Sequence, residues 1–181
     1  MVFRFEVLLS EGDYLAFNRF HSFSTREGRR MLWRHRGLFL LMMAGVVGLT
    51  FLLLGKSLFS FCYTALLVVF SGIYLVLLRK RMDLYLRGQM KRLKKGGKLP
   101  FDPVATLEFY EDKMVEITPT TRTEQSYAAI ERVCVDGDRC VYLYNSSVTA
   151  IILPIPQIRP QANLEDFLQF LRGKCPRVEK Y

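Results

Sequence analysis

Histidine is almost missing from this chain: His21 and His35 are the two in 181 residues. A zinc centre gathers three or four nitrogen, sulfur or carboxylate ligands. His21 falls on an aromatic helix face and His35 among arginines, so packing is the expected role of both. The four cysteines, Cys62, Cys134, Cys140 and Cys175, lack the CxxC spacing of a redox or zinc-ribbon site. Cys134 and Cys140 flank "VDGDR", and a three-residue hairpin loop there would set them opposite each other. A reducing cytosol would keep such a pair as free thiols. There is no glycine-rich phosphate loop, no GxSxG elbow and no HExxH. These absences lead to an expectation of no catalytic residue, no metal and no cofactor. An enzyme would need carboxylates such as Glu108 and Glu116 to face a pocket. The period of two along these strands assigns them to a solvated face instead.

Charge is the next absence, and it is local. Gly37 to Leu54 ("GLFLLMMAGVVGLTFLLL") and Ser57 to Leu78 ("SLFSFCYTALLVVFSGIYLVLL") contain no charged residue. As helices they would span roughly 27 and 33 Å, against a hydrocarbon core of ~30 Å. A chain of this size has too little other sequence to surround two helices apolar on every side. The runs therefore read as transmembrane helices over 37–54 and 57–78, joined by the turn 55–57. No ionisable residue or helix break marks a transport site at their centres. The opening "MVFRFEVLLSEGDY" lacks the basic start of a signal peptide, so the first run is expected to be an uncleaved anchor.

The net charge of +9 is unevenly spread. Residues 1–25 carry −1, residues 26–98 carry +13 and residues 99–181 carry −3. A basic surface for nucleic acid is thereby excluded, because the excess flanks the apolar runs. Arg26, Arg29, Arg30, Arg34 and Arg36 precede the first run, in the juxtamembrane segment 26–36. Arg79, Lys80, Arg81, Arg87, Lys91, Arg92, Lys94, Lys95 and Lys98 follow the second, and the turn carries Lys56 alone. The positive-inside rule then places both termini in the cytoplasm and "GKS" outside.

In the extension 79–98, Met82, Leu86, Met90 and Leu93 share one helical stripe amid basic residues. Arg79, Lys80, Arg81, Arg87, Lys91, Arg92, Lys94 and Lys95 are the candidate contacts to anionic lipid headgroups, each worth ~1 kcal/mol near such a surface. Small residues recur at four-residue spacing in the runs, as Ala44 with Gly48 and Ser60 with Thr64. They are candidate helix-packing positions, within one hairpin or between chains of a homo-oligomer.

Residues 1–25 read as a strand, "VFRFEVLL", then an aromatic amphipathic helix. Ser10 can cap that helix, and Tyr14, Phe17, Phe20 (or His21) and Phe23 recur along it. Its apolar side can pack on the tail or on a membrane surface. Gly96-Gly97 and "LPFDP" end the basic extension. From there to residue 175 the period is two: a hairpin over "ATLEFYEDKMVEIT", two short strands over 122–127 and 130–135, and a second hairpin at Asp-Gly in "VCVDGDRCVYLY". "VTAIILP" adds a strand stopped by Pro154. Asn163 can cap a closing helix whose stripe is Leu164, Phe167, Leu168 and Leu171. The fold class is an α+β membrane protein: a two-helix transmembrane hairpin inserted between an N-terminal strand and helix and a C-terminal β domain of 101–175. About seven strands result, and whether the N-terminal strand joins the tail is left open.

"EGDYLAFNRFH" before two apolar runs, with "SYAAIERVCVDGDRCVYLYNSSVTAIILP" and "LEDFLQFLRGK" after them, resembles the YcxB-like family of small bacterial membrane proteins. Pro154-Ile155-Pro156 departs from it, since family tails often place a basic residue after the strand-ending proline. The resemblance implies a cytoplasmic domain of pleckstrin-homology-like form, closed by a helix, in the bacterial inner membrane. It implies no activity. The hairpin turn "YEDK" is acidic, so phosphoinositide binding by the β domain is not expected. The functional expectation is a membrane-anchored interaction or scaffolding module. Its partners are the lipid bilayer and a membrane or cytoplasmic protein. The alternative is a subunit of an oligomeric channel or transporter.

Overall fold

A computed structural model describes residues 1–96, 99 and 101–181, apart from the side chain of Arg79. Gly97 and Lys98, part of the basic extension, lie outside the described residues.

Strand β1 (Phe3–Leu8) leads into α1 (Glu11–Phe23), then α2 (Arg26–Leu54) and α3 (Leu58–Lys95). Ser10 and Asp13 form a capping box at the start of α1, satisfying two otherwise orphaned amides. The basic segments are not separate pieces, because each is the helical continuation of an apolar run. Gly55, at φ +63°, ends α2, and Ser57 caps α3 by accepting from the Ser60 amide. Both α2 and α3 contain a stretch long and apolar enough to cross a membrane, and almost none of either stretch is buried in the protein. Phe39 stacks on Tyr74 with ring centroids 4.5 Å apart, as expected of an antiparallel hairpin folded at 55–57.

The rest of the chain forms β2 (Val104–Phe109), β3 (Lys113–Ile117), β4 (Arg122–Ser126), β5 (Arg132–Asp136), β6 (Cys140–Tyr144), β7 (Ala150–Pro154), α4 (Ile155–Ile158), α5 (Leu164–Lys174) and β8 (Val178–Lys180). Two four-stranded sheets result, ordered β1-β2-β3-β4 and β7-β6-β5-β8. The N-terminal strand does complete the tail, for Phe5 pairs with Leu107 and Val7 with Ala105, antiparallel. Strand and partner are separated in sequence by the entire helical hairpin.

Eight strands are present among the described residues, one more than the alternation pattern suggests. The extra one, β8, runs parallel to β5, pairing Val133 with Val178. At three residues it is too short to show a period. The helical turn α4 was also not anticipated. Pro154 ends β7 as expected, but it stands immediately before α4, with Pro156 in the helix's first turn, where a missing amide costs nothing.

Two cores hold these layers. Between the sheets lie Phe5, Leu107, Phe109, Val133, Val141 and Leu143, closed at one end by Phe167, Leu168 and Leu171 of α5. Phe167 meets Phe5 and Phe109 edge-on at centroid distances of 4.8 and 5.0 Å. On the outer face of the second sheet, Phe17 and Phe20 of α1 pack on Cys134, Cys140, Tyr142 and Tyr144. That sheet is covered on both faces, which is why "CVYLY" is buried at every position.

The register corrects one expectation. Cys140 pairs with Asp136 and Cys134 with Tyr142, so the two cysteines are diagonal rather than opposite. The three loop residues are Gly137, Asp138 and Arg139, and Gly137 adopts φ +49°. All four cysteines are free thiols.

Candidate functional site

Two places in the fold concentrate polar groups against buried surface. The first is the junction where the long helices meet the β domain. Thr25, fully buried, joins α1 to α2 with one hydroxyl. It donates to the His21 carbonyl at 2.6 Å and accepts from the Gly28 amide at 3.1 Å. Gly28 lies so close to the end of α1 that a β-carbon there would collide with the carbonyl oxygens of His21 and Ser22. Beside it, Arg132 of β5 reaches Glu27 of α2 at 2.7 Å and lies over the Tyr144 ring, 4.3 Å from its centroid. The Tyr144 hydroxyl is 3.3 Å from His21 Nδ1. Burial, then the Arg132 charge, lowers the His21 pKa, so a neutral imidazole is favoured.

Farther down, Arg19 grips Asp83 of α3 through two bonds of 2.7 and 2.6 Å, and Lys94 reaches Glu11 at 2.6 Å. These two pairs set α1 antiparallel to the lower part of α3. The aromatic helix therefore lies between the second sheet and α3, its apolar side on the sheet. Met90 is buried in this arrangement, while Met82 and Leu86 are half-buried and Leu93 is exposed.

The basic candidates divide along α3. Lys80 and Arg81 are exposed at the end of the apolar stretch, with the Arg81 guanidinium 5.6 Å from the Tyr74 ring centroid. Along an unbroken helix, Lys91 to Lys95 stand roughly 20–25 Å beyond Leu78. Lys91, Arg92 and Lys95 are exposed, as is Arg87, and Lys94 is held by Glu11. The side chain of Arg79 lies outside the described residues. Among the small residues, Ala44 and Gly48 face away from α3, and a β-carbon at Gly48 would meet nothing within 4 Å. Ser60 is buried at the turn, where it donates to the Gly55 carbonyl, and the Thr64 hydroxyl donates to the Ser60 carbonyl.

The second place is a groove of about 370 Å³ at the end of the sandwich opposite α5. Val7, Ala105, Leu107 and Ile151 form its apolar floor, and Asn18, Thr118, Asn145 and Thr149 contribute polar groups. Tyr14 stacks on Phe101 along one wall, centroids 5.1 Å apart. Asp102 and Glu116 bring two carboxyl groups to it. Burial, then the Asp102 charge, raises the Glu116 pKa.

Glu116 corrects the reading of both glutamates as a solvated face. Four residues, 110–113, separate the paired Phe109 and Met114, so Glu116 pairs with the buried Leu107, whereas Glu108 pairs with Val115 on the other face. Glu108 accepts from the Tyr110 hydroxyl at 2.9 Å, outside the groove. Asp102 is the carboxylate that alternation could not find, because it stands before the first strand of the tail.

This layered β segment decides the comparison with known proteins. Residues 109–171, from the end of β2 to the middle of α5, match the family described as YcxB-like protein. The segment is YcxB-like. The YcxB-like segment holds Arg132, Tyr144 and Glu116, hence the β-domain side of the junction and half of the groove. No curated protein and no solved structure matches the chain.

Proposed function

We propose that this chain is a membrane-anchored cytoplasmic interaction module. The observation that carries the reading is the pairing of an unburied apolar hairpin with a β domain built around its two ends. Helices α2 and α3 leave their apolar surface uncovered within the protein, and lipid is the medium that satisfies such a surface. Basic residues crowd the open ends of the hairpin and leave Lys56 at the turn, so the β domain lies inside and the tripeptide outside. In bacterial cells this is the inner membrane. Two four-stranded sheets closed by α5 are consistent with a pleckstrin-homology-like domain.

Lys80 and Arg81 grip anionic headgroups at the membrane edge, with Arg79 beside them in sequence. Arg87, Lys91, Arg92, Lys94 and Lys95 add to the inward positive bias from farther down α3. The tether confines the β domain to the membrane plane and so raises its effective concentration toward other membrane-bound proteins. No bond-making step enters this reading.

One observation favours a second reading, a subunit of an oligomeric channel or transporter. The Ala44–Gly48 face of α2 is open and small enough for close helix approach. In-cell crosslinking with identification of neighbours separates the two. The module reading predicts protein neighbours that disappear when residues 101–175 are deleted. The oligomer reading predicts chain-to-chain crosslinks through 44 and 48 that survive the deletion, together with solute flux in liposomes. Neighbours unchanged by the deletion contradict the module.

A further inference from the structure

We propose that the groove opposite α5 binds a small organic cation with an apolar body, of the aryl- or alkylammonium class. The argument starts from charge. The chain carries +9, yet the groove gathers Asp102 and Glu116, and no lysine, arginine or histidine lines it among the described residues. Neither carboxylate takes part in an ion pair within the described residues. Glu116 is half-buried on the core face, paired with Leu107, at a position where a hydrophobic side chain would complete the packing. Two carboxyl groups beside an apolar floor are the arrangement that attracts a cation, and a positive charge bound there favours the ionised form of both.

The remaining lining fixes the rest of the ligand. The floor is apolar, so the cation has a hydrophobic body to lay on it. The Tyr14–Phe101 stack adds a π surface of the kind that attracts ammonium groups. Asn18, Thr118, Asn145 and Thr149 form a polar border that sets orientation rather than charge. At about 370 Å³ the space suits a small molecule and is too small for a helix of a protein partner. Helix α5 plugs the other end of the sandwich, leaving this one open. An anionic ligand would meet two like charges, so inositol phosphates are excluded.

This inference goes beyond the adaptor reading, and the two fail separately: cation binding is measured on the pure protein, neighbours in cells. The test uses the full chain in phosphatidylcholine nanodiscs, titrated calorimetrically with benzyltrimethylammonium, empty discs serving as the blank. Saturable one-to-one binding is expected, with no saturable binding of 3-phenylpropionate. E116Q keeps the shape of the side chain and should weaken binding about fivefold or more, through loss of the charge. V148K is a second probe: Val148 is exposed at the rim, so a lysine there leaves the core intact and competes for the carboxylates. Non-saturable uptake, equal affinity in E116Q, or comparable binding of the anion overturns the proposal.

Discussion

The side-chain amide of Gln157 pairs with both backbone groups of Leu8, accepting from its N–H and donating to its carbonyl, each at 2.8 Å. Gln161 does the same two residues back, toward the N–H and carbonyl of Glu6, at 2.9 and 3.0 Å. Two glutamines thus imitate a neighbouring strand along the free edge of β1. They join the segment that follows β7 in one sheet to β1 in the other, and they hide an edge that would otherwise invite another chain.

Gln157→Ala should therefore destabilise the β domain by about 1–2 kcal/mol, with a similar further loss for Gln161→Ala. Hydrogen exchange checks the cause. The amides of Glu6 and Leu8, which donate to the two glutamines, should lose more protection in the variants than that of Val141, deep in the second sheet. Uniformly faster exchange would mean the glutamines act on the whole fold.

Much of this was legible beforehand. The apolar runs, the Ser10 and Asn163 caps and the strand periods are local signals, written into contiguous residues. What escaped depends on distance. Nothing near Phe3–Leu8 announces that its partner begins at Val104, and β8 pairs in parallel across more than forty residues. Glu116 was misassigned because the face of a strand after a hairpin depends on loop length, not on alternation within the strand. Asp102 stands outside any periodic segment, so only the folded chain brings it to the groove.

At the junction, Gly28→Ala has no room for its methyl group between the carbonyls that end α1. Overpacking of this kind costs about 1–3 kcal/mol, occasionally more. The expected result is a lower melting temperature and earlier proteolysis between residues 20 and 30. Gly45→Ala, where a β-carbon meets nothing within 4 Å, serves as the control and should leave both unchanged.

His21 gives the junction a pH dependence. Its folded pKa lies below the unfolded value of 6.5, because of burial and then Arg132. Below 6.5 the unfolded chain binds the proton more readily, so stability is full above that value and falls as pH drops toward the folded pKa. The groups facing the imidazole are Arg132, Glu27 and the Tyr144 hydroxyl. His21→Gln should flatten the melting temperature between pH 6.5 and 5. A slope unchanged by the substitution would assign the loss to other groups.

The topology is tested most directly by thiol labelling in intact cells. Burial pushes the thiols of Cys134, Cys140 and Cys175 up to about 11, so they remain protonated and poorly reactive at neutral pH. With the exposed Cys62 replaced by alanine, engineered cysteines at the exposed positions Thr120 and Lys56 then report from the two ends of the molecule. A maleimide that cannot cross membranes should label Lys56→Cys in unbroken cells and Thr120→Cys only after lysis. Labelling of Thr120→Cys in unbroken cells would place the β domain outside and contradict the account.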